Sequence, residues 1–334
     1  MNTPLVAPRR ALLRAALSAA CGATLALAAT AAQSQDYPTK AVNVVVPWPA
    51  GGPSDIAARP LAKGLNENLG QPFVIDNRAG ASGNIGSGIV ARAKPDGYTL
   101  LITSSSPIVI NPSIYKKMPL DPMKDLAPIT NLLRVPLVLV VNPSLPVNNL
   151  QELIAHIKAE DGKFQYASSG NGTPQHMTTE LMKTQAGLEM VHVPYKGSAP
   201  AITDVLGGHL PMMFDSTIAI MPHITSGKVK AIAVTGAQRS PLLPDVPTFS
   251  EAGMPDFESY AWYGFFAPAG TPKEIVEKLN AEAQKVMKAP EYQRVLADTG
   301  SEYVGTSVEE FTRFVEAETA KWSKVAKDSG ATVD

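Results

Sequence analysis

Five histidines are the first side chains to test for chemistry: His156, His176, His192, His209 and His223. No two are three or four residues apart, so no helix offers two imidazoles to one metal ion, and no metal motif surrounds them. A Gly-x-Ser-x-Gly elbow, which would supply an α/β-hydrolase nucleophile, is absent. Gly80-x-x-Gly83-x-x-Gly86 is not the dinucleotide fingerprint, and no Gly-Lys-Ser/Thr closes a phosphate loop. The chain has one cysteine, Cys21, so the remaining sequence carries no disulfide, thiolate or Cys-based metal chemistry. No metal, cofactor or catalytic group is assigned.

What remains is a set of Gly/Ser/Thr loops at strand ends. Val42 to Val46 holds four valines in five positions and reads as a strand covered on both faces. It runs into Pro47-Trp48-Pro49-Ala50-Gly51-Gly52-Pro53-Ser54-Asp55, where the glycines let the backbone approach a ligand. Ser54 or Asp55 is a candidate cap for the helix that follows. A strand entering a helix start across glycines suits a small anion, although an ordinary βα turn has the same pattern. A second such stretch, Ser168-Ser169-Gly170-Asn171-Gly172-Thr173-Pro174, lies in the other half of the chain. Thr173 and Pro174 form a favourable N-cap–N1 pair, which places His176 at the third helical position. The helix dipole disfavours a charged imidazole there, so a neutral His176 is expected.

The elements that must position these loops alternate strand and helix, which predicts α/β layers with mostly parallel sheets. The expected strands include Phe73 to Ile75, Tyr98 to Thr103 ending in Ser104 and Ser105, and Val135 to Val141. Phe164 to Ala167, Met190 to Val193, Pro211 to Asp215 and Val229 to Thr235 continue the series. Asn111 to Pro128 reads as irregular surface, and Phe257 to Ala267 as a returning strand. The C-terminal segments from Pro272 onward are expected to be helical. The resulting organisation is discontinuous: 36–136 with 262–334 in one domain and 137–261 in the other, with two crossing strands and a cleft between them.

Arg9, Arg10 and Arg14 precede an apolar run from Ala15 to Ala29 and the small residues Ala29-Thr30-Ala31. These are the regions of a secretory signal spanning 1–34, with cleavage near 31–35 and a periplasmic destination. Pro8-Arg9-Arg10 also admits twin-arginine export. Cleavage removes three arginines and no acid, leaving 26 basic against 30 acidic residues, a net charge of −4. With no basic run or aromatic RNA motif, nucleic acid is not an expected partner. No further membrane span is expected after the signal.

Several stretches carry a family resemblance. They are Tyr37-Pro38-Thr39-Lys40, Val46 to Asp55, Asn77 to Gly86, Pro95 to Leu100, Tyr166 to Thr173, Val193-Pro194-Tyr195-Lys196-Gly197 and Asp245-Val246-Pro247-Thr248. In that order the sequence resembles the periplasmic receptors of tripartite tricarboxylate transporters, the Bug family. The resemblance implies a type II periplasmic-binding-protein-like α/β fold whose two lobes close on a carboxylate. It further implies delivery by a monomeric receptor to a two-subunit integral-membrane permease driven by an ion gradient. It nominates Ala50, Gly51, Gly52, Ser54 and Asp55 on one side of the cleft. On the other it nominates Ser168, Gly170, Asn171, Gly172, Thr173 and His176. Ser104, Ser105, Tyr195, Lys196 and Asp215 are weaker candidates at strand and loop ends. Trp48 stands where many relatives carry Phe or Tyr, either as a wall for its loop or as an aromatic face for a larger or aromatic acid.

Two other readings stay open. The same fold can dock to a periplasmic sensor instead of a permease. An exported hydrolase using Ser168 or Ser169 would need a histidine and a carboxylate converging on that serine, and His176 is the histidine within local range.

Overall fold

The valine run forms strand β1, Val42–Val46, and Val42, Val44, Val45 and Val46 are all buried. This computed structural model describes residues 37–333, so the export signal and Cys21 lie outside the described residues. Helix α1, Pro53–Leu69, follows the Gly/Pro loop; β2, Phe73–Asn77, and α2, Asn84–Ala91, come next. Strand β3 is Thr99–Ser104, and both β2 and β3 pair with β1 in parallel.

Strand β4, Leu126–Val141, is 16 residues long and fixes the architecture. The segment expected to be irregular from Asn111 to Pro128 instead contains two short helical turns and enters β4 at Leu126. After β4 come α3, Leu150–Ala159; β5, Gln165–Ser168; α4, Pro174–Ala186; and β6, Val191–Pro194. Next are α5, Ser198–Leu206; β7, Met212–Ser216; α6, Thr217–Thr225; and β8, Lys230–Val234. The chain returns through β9, Tyr260–Pro268, whose nine residues are all buried. It ends in α7, Lys273–Lys288; α8, Pro290–Thr299; β10, Glu302–Tyr303; and α9, Val308–Ser329.

The strand order is β2-β1-β3-β9-β4-β7-β5-β6, with β8 and β10 also on β4. The first part of β4 pairs with β9, and Leu137 to Val141 pair with β7 and β8. One strand therefore serves both halves of the α/β fold. The outer strands are parallel, as expected, but every pairing of β4 and β9 is antiparallel. A chain that leaves one half along β4 and comes back along β9 has to reverse direction. Two register shifts along the β4–β9 ladder, at Pro128/Thr130 and Asn131/Leu133, mark bulges that bend the pair.

Helix α9 starts with a capping box between Ser307 and Glu310 and buries Phe311, Val315 and Trp322. Its Glu318 accepts hydrogen bonds from the indole N–H groups of both Trp322 and Trp262. The C-terminal helix is thereby tied to the returning strand.

Candidate functional site

Three helix starts meet at one cleft of about 660 Å³. The first is the loop into α1. Its N-cap is Gly52, with Pro53 at the first helical position, so Ser54 and Asp55 lie inside the helix and do not cap it. Proline has no N–H, and Asp55 N–H turns to Gly52 O at 2.9 Å, which leaves the Ser54 N–H without a helical acceptor. Trp48, Ala50, Gly51, Gly52 and Ser54 all line the cleft.

Asp55 lies behind this loop and is 2% exposed. Its Oδ2 accepts from Gly51 N–H at 2.9 Å and from Arg59 Nε at 2.6 Å. Asn77 Nδ2 donates to Asp55 Oδ1 at 3.1 Å and to Trp48 O at 3.0 Å. Burial alone would raise the Asp55 pKa, but the hydrogen bonds from Arg59, Gly51 and Asn77 hold it below the usual carboxylate value. The carboxylate is a staple for the loop.

The second start is that of α4. Thr173 is the N-cap: its Oγ1 accepts from His176 N–H at 3.4 Å and donates to Gly170 O at 2.8 Å. Thr173, Pro174, Gln175 and the neighbouring Ser169 line the cleft. Ser168, Gly170, Asn171, Gly172 and His176 form the turn behind that surface and are not in the lining. His176 is buried, accepts from Gly172 N–H through Nδ1 at 3.2 Å, and has its pKa pushed down to about 4 by burial and by the charge on Lys183. Burial and Lys183 thus favour the neutral imidazole.

Ser168 Oγ lies 2.6 Å from Nε2 of His192, a histidine of β6. The parallel pairing sets His192 opposite Tyr166, and the His192 ring stacks between those of Tyr166, at 4.9 Å, and His176, at 4.0 Å. Tyr166 donates to Glu180 at 2.5 Å, and Lys183 Nζ pairs with Glu180 at 2.8 Å. Burial, with the neighbouring His176, pushes His192 down to about 3.

The third start is that of α5, where Lys196, Gly197, Ser198, Ala199 and Pro200 line the cleft. Tyr195 turns away from it, and its hydroxyl donates to Asp204, which pushes the burial-raised Tyr195 pKa further, to about 12. Asp215, fully buried at the end of β7, lies behind the wall. Ser104 lines the cleft with a hydroxyl that has no partner among the described residues, whereas Ser105 is buried beside it.

Ala261 and Tyr263 of β9, Ile202 and Leu206 of α5, and Ala219 and His223 of α6 also line the cleft without having been nominated from sequence. Period-two alternation along β9 could have found the first pair, and the Ser198, Ile202, Leu206 face of α5 the second. His223 carried no local signal. A second cavity of about 410 Å³ lies on Arg134, Tyr260, Trp262 and Glu318. Its basic side chains are already paired, Arg134 with Glu302, Lys321 with Glu318 and Lys324 with Asp328, which leaves little to hold an anionic ligand.

Residues 57–331 match the family described as the tripartite tricarboxylate transporter family receptor. The chain belongs to that family. Among its relatives is protein BugT of Bordetella pertussis, 37% identical over 318 residues, covering 94% of this chain and 98% of BugT. Among solved structures, R. palustris Rpa4515 with adipate superposes with a TM-score of 0.82 at 40% identity, covering 89% of this chain and 100% of that one. MatC (Rpa3494) of Rhodopseudomonas palustris with bound malate gives a TM-score of 0.78 at 32% identity, over 86% and 99% of the two chains. The fold is thus that of a solute-binding receptor with two α/β lobes. No helix among the described residues is long and apolar enough to cross a membrane.

Proposed function

We propose that this receptor works in the periplasm as a monomer, captures a small organic acid by closing two lobes, and delivers it to a two-subunit membrane permease. The lobes are residues 36–136 with 262–334, and 137–261. The observation that carries the reading is the charge character of the cleft. Three helix starts and Lys196 border it, and no aspartate or glutamate is in its lining. Helix N-termini and their free N–H groups favour negative charge. Each hydrogen bond to a carboxylate oxygen contributes about 1.5–3 kcal/mol net. A few of them offset the several kcal/mol lost in association and closure.

Adipate and malate, bound by the two similar receptors, are both carboxylates. Trp48, Pro53, Ile202, Leu206 and Tyr263 supply apolar surface for a ligand body next to these donors. Function is binding and release, without turnover. Mass spectrometry of small molecules that co-purify with the mature protein, followed by calorimetry, tests the reading. One carboxylate bound stoichiometrically is expected; no binding by any member of a broad carboxylate panel would overturn it.

A further inference from the structure

Resting on the carboxylate-receptor reading, we propose that Asp215 turns one wall of the cleft into an acceptor surface. The ligand is then an organic acid that also carries a hydrogen-bond donor, a hydroxyl or a protonated amine.

Asp215 is 0% exposed, yet its Oδ1 reaches two of the helix starts that line the cleft. It accepts from Gln175 Nε2 at 3.0 Å, from Ser198 Oγ at 3.1 Å and from Ser216 N–H at 2.8 Å. Gln175 is the second residue of α4 and Ser198 the first of α5, and both line the cleft. A serine hydroxyl has one proton, and that of Ser198 is committed to Asp215, so Oγ retains only lone pairs for a ligand. The Gln175 amide spends one N–H on the same oxygen, which fixes its orientation and leaves Oε1, beside the second N–H, free to accept from a ligand. Neither Gln175 Oε1 nor Ser198 Oγ has a further partner among the described residues.

This polarity is imposed from behind the wall. Flipping the Gln175 amide would set two oxygens against each other at a fully buried site, which is unfavourable. Burial raises the Asp215 pKa, and Oδ2 has no partner among the described residues, so Oδ2 is the place for a proton. Oδ1, with three donors on it, stays an acceptor whether the group is ionised or neutral. The same cleft thus offers main-chain N–H groups to a carboxylate and side-chain oxygens to something else. A plain aliphatic acid leaves both oxygens without a donor unless water supplies one.

Calorimetry with matched ligands tests this. The tightest-binding carbon skeleton from succinate, glutarate and 3-phenylpropionate is compared with its 2-hydroxy and 2-amino forms. The substituted acid is expected to bind about tenfold more tightly, the contribution of one good hydrogen bond. In Gln175→Met with Ser198→Ala, both at the partly open cleft surface, that ratio is expected to fall below about threefold while the plain acid loses less. Asp215→Asn, whose amide can let Gln175 turn over, is expected to shrink the ratio as well; circular dichroism confirms its fold. Carboxylates that bind equally well with and without the donor, or a ratio that survives in the double variant, would overturn the proposal and leave the receptor reading in place. Failure of every carboxylate to bind would overturn both.

Discussion

Ser168 Oγ and His192 Nε2 are 2.6 Å apart, but the cleft opens on the next residue, Ser169. A histidine within reach of this serine is therefore present, supplied by the neighbouring strand and not by His176, but burial lowers its pKa to about 3, too low for a general base at neutral pH. Ser168 itself is 0% exposed, and its hydroxyl also exchanges hydrogen bonds with Gly170 O at 3.2 Å and Gly170 N–H at 3.1 Å. Glu180 bonds to Tyr166 and Lys183 and does not orient the far nitrogen of His192 among the described contacts. The pair is built like a pin under the binding turn. Ser168→Ala is expected to bind ligand several-fold more weakly and to lose about 1 kcal/mol of stability. Neither protein is expected to hydrolyse a panel of p-nitrophenyl esters above the buffer rate; turnover that disappears with Ser168 would establish an enzyme.

The stacked histidines give the fold a defined acid sensitivity. Both are neutral when folded, with pKa values lowered to about 4 and about 3, chiefly by burial. The unfolded chain takes up protons near 6.5, so between there and about pH 4 it binds more protons than the native state. Stability is accordingly complete above about pH 6.5 and falls as the pH drops, by about 1.4 kcal/mol per unit for each histidine. Urea midpoints between pH 7 and pH 5 are expected to show this slope, halved in His192→Gln. An unchanged slope in that variant would assign the acid sensitivity elsewhere.

Asp55 works in the same protonation sense, through its charged form and at lower pH. Its carboxylate is held below the usual range by Arg59, Gly51 and Asn77 against the effect of burial. Its contribution is present above about pH 4 and lost as the pH falls through its lowered pKa. Asp55→Ala frees the Gly51 N–H and Asn77 together and is expected to cost about 2–3 kcal/mol in denaturant unfolding. Arg59→Ala is expected to cost about 1 kcal/mol or less, because that side chain is 56% exposed. The loop loosened by Asp55→Ala is also expected to bind ligand more weakly than the wild type at neutral pH.

Two glycines separate backbone conformation from crowding. Gly51 has φ +78°, and a Cβ there would meet nothing within 4 Å, so Gly51→Ala is expected to cost about 1 kcal/mol through conformation alone. Gly172 has φ +72°, and its Cβ would lie 2.4 Å from Asn111 Oδ1 and 2.7 Å from Ile114 Cδ1. Gly172→Ala is therefore expected to be the more damaging, by about 2–3 kcal/mol in urea unfolding. Equal costs would mean that the Asn111 side chain moves aside freely.

What the sequence disclosed about the site was local in the chain. Thr173-Pro174 announces a helix start because capping chemistry is written within three or four residues, whereas the cap expected at Ser54 or Asp55 falls on Gly52, ahead of Pro53. The alternation of strands and helices likewise gave the α/β layers. The antiparallel centre was hidden, since nothing local says that β4 runs on through both halves. His192 reaches Ser168 through a strand register across 24 residues, and Gln175 reaches Asp215 across 40. Those contacts depend on which strand lies beside which, and no spacing rule carries that information.

Trp48 offers an optical reading of the cleft. The chain has three tryptophans, and two of them, Trp262 and Trp322, are 1% exposed and hydrogen-bonded to the same Glu318 oxygen. Trp48 alone of the three lines the cleft, with its indole N–H unpartnered among the described residues and its ring against Gly83. A ligand that settles on this face removes water from one indole while the other two stay as they are. Saturating ligand is expected to shift or quench the tryptophan emission, and Trp48→Phe is expected to abolish most of that signal while keeping an aromatic wall. Trp48→Ala is expected to weaken binding by about tenfold for an acid whose apolar body meets the ring. Unchanged affinity in Trp48→Ala would confine the indole to supporting its own loop and move the apolar contact to Ile202, Leu206 and Tyr263.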